Sequence, residues 1–257
     1  MNTEAPQPVI TLRCEAVGKR YRGVNALVNI TLNFPAEGVI AIVGPNGAGK
    51  TTLLNVISGF VCPDSGRCFL GNKEITRLAP NQIVRLGLSR TFQDLRLISR
   101  LSALENVMLA LPSQRGERLI YALSRFGLAH EERENRAQAM RLLQLAHLEA
   151  EALTLTRYLS YGKQKLLTLV CCLATQAKIL LLDEPLAGID PKGVDRTLEL
   201  MKHLRNEGLI IIFIEHNLVA VKKIAEHLIV LDEGQIIGQG DPHEVLENPR
   251  VMEAYIA

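Results

Sequence analysis

Between residues 39 and 59 the chain reads VIAIV, then GPNGAGKT, then TLLNVISG, and this order of strand, glycine loop and helix restricts the fold more than any other feature of its 257 residues. A continuous run of β-branched and small apolar residues predicts a strand buried on both faces, which belongs in a parallel sheet. Gly44 stops the strand and Gly59 marks the end of the helix. The pattern G-x-x-x-x-G-K-[ST] lets main-chain N–H groups wrap phosphate oxygens at a helix N-terminus that already favours anions. Gly44, Gly47 and Gly49 keep side chains out of the cradle, with Pro45, Asn46 and Ala48 between them. Lys50 is placed to reach the β and γ phosphates, Thr51 offers a hydroxyl to Mg²⁺, and Thr52 extends the loop into the helix.

ILLLDEP at 179 to 185 and LIIIFIEH at 209 to 216 are continuous apolar runs that end in acidic or histidine residues. They predict buried parallel strands with functional C-terminal ends. Asp183 suits the Mg²⁺ shell, and Glu184 beside it suits a general base acting on water. A phosphate loop and an acidic strand end fit a kinase, a GTPase or a helicase equally well.

Elsewhere, residues 9 to 43 alternate apolar and polar positions before VIAIV, and GRCFLGNKEI at 66 to 75 predicts a hairpin turning at Gly71 and Asn72. From Pro80 to about Ala174 the helical period dominates, as in RAQAMRLLQLAHL, with LPSQRGERLIYALSRFG predicted as a surface loop leading to a short helix. LIVLDEGQIIGQG predicts a second hairpin around Glu233 and Gly234, and Asp241 with Pro242 caps a closing helix. Nothing repeats internally.

Twenty-nine basic against 27 acidic residues leave a charge of +2, too small to imply a nucleic-acid partner. The 5 cysteines lack C-x-x-C spacing, so neither a disulfide framework nor a zinc site is expected, and a reducing cytosol fits. The N-terminus lacks the apolar core of a secretory signal, and the longest apolar run, LLTLVCCLA at 166 to 174, is well short of the roughly 20 residues that cross a bilayer. Cys171 and Cys172 read as core filler. Arg90 and Arg96, on either side of Gln93, read equally as partner contacts and as exposed arginines.

In YLSYGKQKLL at 158 to 167 a Ser and a Gly open an apolar helix and leave its backbone donors free. With this segment the ordered set resembles the ATP-binding cassette proteins across nearly the whole chain. LSYGKQ is similar to their signature LSGGQ: Ser160 and Gly162 match, and Tyr161 replaces the first glycine, a form familiar among the ATPases of branched-chain amino acid importers. The resemblance makes Gln93 in RTFQD the Q-loop residue and a further Mg²⁺ contact, Asp190 in AGIDP the D-loop residue, and His216 in FIEH the switch histidine. It also puts Tyr21, in KRYRGV, on the adenine ring; the other reading of Tyr21 is a cover for the edge of the first sheet.

The implied fold is an α/β P-loop NTPase core, RecA-like, with an antiparallel β subdomain. It forms one domain over 9–257, with a helical subdomain at about 94–174 inserted between the Q-loop and the Asp183 strand. The implied function is ATP hydrolysis with Mg²⁺ by a dimer, either a homodimer or a heterodimer with a related ATPase, in which each nucleotide lies between the P-loop of one chain and the signature of the other. Such a dimer powers integral membrane permease subunits from the cytoplasmic face of the membrane, with a periplasmic or extracellular solute-binding protein as a further partner. RTFQ, YGKQ, IEH and the closing NPRVMEAYI favour an importer of branched-chain amino acids or a similar small polar solute. The alternatives are the ATPase of a lipopolysaccharide-type exporter and a non-transport cassette protein.

Overall fold

The computed structural model describes residues 11–112 and 128–256. In chain order, β1 (Leu12–Tyr21) and β2 (Val24–Asn33) form an antiparallel hairpin, closed by Arg22 and Gly23, both at positive φ as a tight hairpin turn requires. β3 (Val39–Val43) leads into α1 (Lys50–Ile57). β4 (Ser65–Leu70) and β5 (Lys73–Glu74) make the expected hairpin at Gly71 and Asn72. Next come α2 (Pro80–Arg85), β6 (Leu88–Arg90), α3 (Ala103–Ala110), α4 (Leu128–Leu145) and α5 (Tyr161–Ala174). β7 (Ile179–Asp183), α6 (Pro191–Asn206), β8 (Ile210–Ile214) and α7 (Leu218–Ile224) precede the hairpin of β9 (His227–Asp232) and β10 (Gln235–Gly240). The described chain closes with α8 (Pro242–Leu246), capped by Asp241, and α9 (Pro249–Ile256).

Two sheets result. β2-β1-β4-β5 is antiparallel, and β10-β9-β3-β8-β7-β6 is parallel except for its β10 edge. The buried strands of the second sheet serve two layers by simple alternation. Val39, Ala41 and Val43 face the layer that holds Leu104, Leu143, Leu167, Met201 and Val221 from helices α3 to α7, while Ile40 and Ile42 face the layer shared with α1 and the antiparallel sheet. Each Leu or Ile buried this way contributes about 1.5–3 kcal/mol, so both faces of the sheet are held firmly and its strand ends are fixed points. Because β3, β6, β7 and β8 run parallel, the loops that follow them emerge along one edge, where ligands bind in open α/β sheets.

The stretch from Pro80 differs from its expectation. Three residues, Leu88–Arg90, leave the helical pattern and form the edge strand β6, too short for any period to show. The chain is then irregular until Ser102, which caps α3 in a box with Glu105: the Ser102 hydroxyl accepts from the Glu105 N–H at 3.2 Å, and the Glu105 carboxylate accepts from the Ser102 N–H at 2.7 Å. Buried Asn106 ties this irregular stretch down, accepting from the Ile98 N–H at 2.8 Å and donating to the Thr156 hydroxyl at 2.8 Å. The loop and short helix expected in LPSQRGERLIYALSRFG fall outside the described residues from 113 onward.

Candidate active site

The glycine loop needs its glycines for different reasons. A Cβ on Gly44 would sit 1.9 Å from the Leu231 carbonyl oxygen, and one on Gly49 would sit 2.3 Å from that of Ala26. At Gly47, with φ +85°, a Cβ would meet nothing within 4 Å, so that side of the loop is open and only the backbone angle asks for glycine. α1 starts directly at Lys50 with no acidic residue in its first turn, which leaves its positive end uncompensated. The Lys50 ammonium is buried and donates to the carbonyl oxygens of Gly44 at 2.7 Å and Pro45 at 2.8 Å. Desolvation lowers its pKa, and the nearby charges of Glu184 and Asp183 oppose that shift. Thr51 is exposed and Thr52 half-buried.

Asp183 closes β7 with its carboxylate buried, and its Oδ2 accepts from Arg90 Nη2 at 2.8 Å. The same guanidinium donates through Nη1 to Asn55 Oδ1 at 2.7 Å and Ser58 Oγ at 3.0 Å, both at the end of α1. Arg90 is thus neither a partner contact nor an exposed arginine, the two readings its sequence allowed. It lies inside the protein because β6 carries it to the rim of the sheet beside β7, and burial lowers its pKa against the support of Asp183. Arg96 alone is exposed, its guanidinium 3.5 Å from the centre of the Phe92 ring.

Glu184 is held by neighbours from both sides. β6, β7 and β8 are adjacent in the sheet, so the residues just past their ends come together. His216 Nε2 lies 3.1 Å from Glu184 Oε1, and Gln93 Nε2 donates to Oε2 at 3.3 Å. The backbone of Glu184 is at φ +49°, and its carbonyl oxygen accepts from Lys165 Nζ at 2.5 Å. Beneath it, buried Glu215 accepts from the N–H groups of Leu186 at 2.7 Å and His216 at 3.2 Å, and desolvation raises its pKa. Neither Lys165 nor Glu215 stood out in the sequence. Lys165 is one of two lysines in an apolar helix, and Glu215 passes for the hydrophilic end of a strand.

Ser160 caps α5, its hydroxyl accepting from the Lys163 N–H at 3.4 Å. Tyr161 lays its ring against Gly188, where a Cβ would come within 3.1 Å of the ring, and Gly162 faces Ile189. Asp190 caps α6 by accepting from the Gly193 N–H at 2.9 Å, so its carboxylate already has a structural task. Among the described residues no hydrogen bond joins Ser160 or Gly162 to the glycine loop of the same chain. Tyr21 is exposed at the end of β1 with Lys19 Nζ 5.5 Å from its ring centre. The thiols are free; burial pushes Cys171 up to about 12 and Cys172 up to about 11, in keeping with a packing role.

A glycine loop at the mouth of a parallel sheet, with Asp183, Glu184, Gln93 and His216 gathered beside it, defines a nucleotide-hydrolysing protein of the P-loop fold. The family profile for ABC transporters matches residues 27–187. Over 248 residues the chain is 35% identical to a probable branched-chain amino acid transport ATP-binding protein, LivG, of Archaeoglobus fulgidus, covering 95% of each. Over 247 residues it is 33% identical to the high-affinity branched-chain amino acid transport ATP-binding protein BraF of Pseudomonas aeruginosa, covering 95% of this chain and 97% of that one. The ADP conformation of MJ1267, an ATP-binding cassette of an ABC transporter, superposes with a TM-score of 0.83 at 31% identity, covering 96% of this chain and 99% of that one. A dimeric post-hydrolysis cassette, MJ0796 bound to ADP and Pi, superposes with a TM-score of 0.77 at 27% identity, covering 90% and 98%. The chain therefore belongs to the ABC transporter family, and within it is an ATP-binding subunit that hydrolyses ATP. No helix among the described residues is long and apolar enough to cross a membrane.

Proposed function

We propose that this subunit powers uptake of branched-chain amino acids, or of a similar small polar solute, through integral membrane permease subunits. It works on the cytoplasmic face of the membrane with a solute-binding protein on the far side. The observation that carries this reading is the end-to-end likeness, at 35% identity over 95% of the chain, to a relative named for branched-chain amino acid transport.

The site roles in this reading follow from chemistry. Gly44 to Thr52 cradle the phosphates, Lys50 leaves its two loop carbonyls for phosphate oxygens, and Tyr21 stacks on the base. The donor set of a Thr51 hydroxyl, an Asp183 carboxylate with Oδ2 already on Arg90, and the Gln93 amide oxygen is all oxygen, which fits a hard cation such as Mg²⁺. Bound there, Mg²⁺ would neutralise phosphate charge. Glu184 accepts a proton from water as the water oxygen bonds to the γ-phosphorus. The bond from that phosphorus to the β–γ bridging oxygen breaks, giving ADP and inorganic phosphate. His216 orients the carboxylate and Gln93 the water.

Ser160 and Gly162 lie far enough from their own loop to make no bond with it, and in this reading they close over the nucleotide of a second chain, with the N-terminus of α5 facing its phosphates. Asp190 contributes at that boundary while capping α6. The stretch 94–174 acts as the helical subdomain through which the permease feels the dimer open and close.

The test is affinity isolation of the tagged subunit from gently solubilised membranes, followed by reconstitution of what it brings down. An integral membrane protein should co-purify, and vesicles holding it should take up labelled leucine on addition of ATP. Co-purification with no ATP-driven uptake of leucine, isoleucine, valine or a similar small polar solute, or ATP-driven movement in the opposite direction, defeats the proposed role.

A further inference from the structure

Glu184 occupies an uncomfortable backbone position. Its φ is +49°, a left-handed conformation that side chains other than glycine avoid, and the next residue is Pro185, whose ring further narrows the choices of the residue before it. Such a conformation persists only where the surroundings hold it. Three bonds do so here. The Glu184 N–H donates to the Ile214 carbonyl at 3.1 Å, and the Glu184 carbonyl accepts from the Ala187 N–H at 3.3 Å and from Lys165 Nζ at 2.5 Å. The first two are local to the strand ends. The third comes from another element, carries a full charge, and is the shortest.

Lys165 sits in the second turn of α5, half-buried, with its ammonium also 5.5 Å from the centre of the Tyr161 ring. Burial lowers its pKa while Glu215, Glu184 and Asp183 support the charge, so a cation is kept in a partly desolvated place where a neutral side chain would be cheaper. Tyr161, one turn earlier on the same face, rests on Gly188 three residues past Pro185. Helix α5 therefore grips both ends of the segment 184–188.

We propose that Lys165 is a positioning residue for hydrolysis: from the helix that begins at Ser160 it fixes the main chain of Glu184, and so ties closure of that helix on a partner's nucleotide to the aim of the carboxylate in its own chain's site. This rests on the reading of Glu184 as the general base. A misplaced base loses rate without loss of substrate binding, because the nucleotide contacts lie on the glycine loop and not on Glu184.

The experiment compares the full chain with Lys165→Met and Lys165→Arg, measuring steady-state ATP turnover, its Hill coefficient, and ATP affinity by titration with a fluorescent ATP analogue. Lys165→Met should lower kcat by about 10²-fold with KM and Kd changed by no more than about twofold. Its Hill coefficient should fall relative to that of the unmodified chain, and Lys165→Arg, which keeps a charged donor, should restore most of the rate. Adding Lys165→Met to Glu184→Gln should leave the residual rate unchanged, since the residue acts only through that carboxylate. Unchanged kcat in Lys165→Met, an equal loss of affinity and rate, or a further fall in the double variant overturns the proposal. Should Lys165→Met not fold, Lys165→Gln stands in its place with the same outcomes. Wild-type turnover in Glu184→Gln would instead strike at the base assignment itself, so the two failures are told apart.

Discussion

His216 Nε2 and Glu184 Oε1 lie 3.1 Å apart although 32 residues separate them, because β7 and β8 are neighbours and each residue stands just past its strand's end. Gln93 completes the arrangement from β6, on the other side of β7. Both carboxylate oxygens therefore have a partner, and a water bound between Glu184 and a γ-phosphate would be held by groups already aligned. Their alignment comes from the sheet, whose buried strands have no freedom to slip without turning apolar side chains to the wrong layer.

Glu184→Gln should preserve this frame, since an amide is the same size and can still pair with His216 and Gln93. It removes the ability to take a proton. Phosphate release should fall by about 10²–10⁴-fold while ATP binding persists, and the chain should then accumulate as an ATP-dependent dimer visible by light scattering. Phosphate release at the normal rate would remove Glu184 from its role.

Lys50 donates to the Gly44 and Pro45 carbonyls, so its ammonium holds the loop in shape until phosphate oxygens compete for it. Lys50→Ala deletes a charged donor in a buried setting, where a hydrogen bond to a charged group contributes about 1.5–3 kcal/mol. ATP affinity should drop by about tenfold or more. A titration that returns the unmodified affinity would contradict the cradle.

Gly44 and Gly47 offer an internal comparison. Gly47→Ala meets no atom within 4 Å and suffers only from its φ of +85°, a cost of about 1–2 kcal/mol. Gly44→Ala would drive a methyl to 1.9 Å from the Leu231 carbonyl and force β3 and β9 apart. Thermal melts should rank Gly44→Ala well below Gly47→Ala, and the reverse order would mean the loop is not packed as described.

Much of this was legible in the sequence, and the parts that were not share a cause. VIAIV, ILLLD and IIIFI announce themselves because strands buried on both faces need unbroken apolar runs. Lys50, Asp183 and Glu184 were readable from motif and position, whereas the convergence of Gln93, Glu184 and His216 depends on the strand order β8-β7-β6, which no local pattern encodes. β6 has only three residues, and hidden with it was the burial of Arg90, a residue type that usually lies at the surface. Asp190 and Ser160, read in the sequence for a place at the nucleotide, are seen in the structure as the caps of α6 and α5, a meaning that Asp and Ser before a helix also carry.

Arg90 leads to the last prediction. Its pair with Asp183 is closed off from water, with 3% and 2% of the two side chains exposed, and the same guanidinium reaches Asn55 and Ser58 on α1. Arg90→Met would leave the Asp183 charge buried without its partner, a change that typically destabilises by about 3–5 kcal/mol. For a chain of this size that corresponds to a fall in melting temperature of about 10 °C. Arg90→Met combined with Asp183→Asn removes both charges and should recover a good part of the loss, because the cost comes from the stranded carboxylate more than from the missing bond. If the single variant melts with the unmodified chain, or the double variant melts no higher than Arg90→Met alone, the ion pair is not what holds the end of β7 against α1.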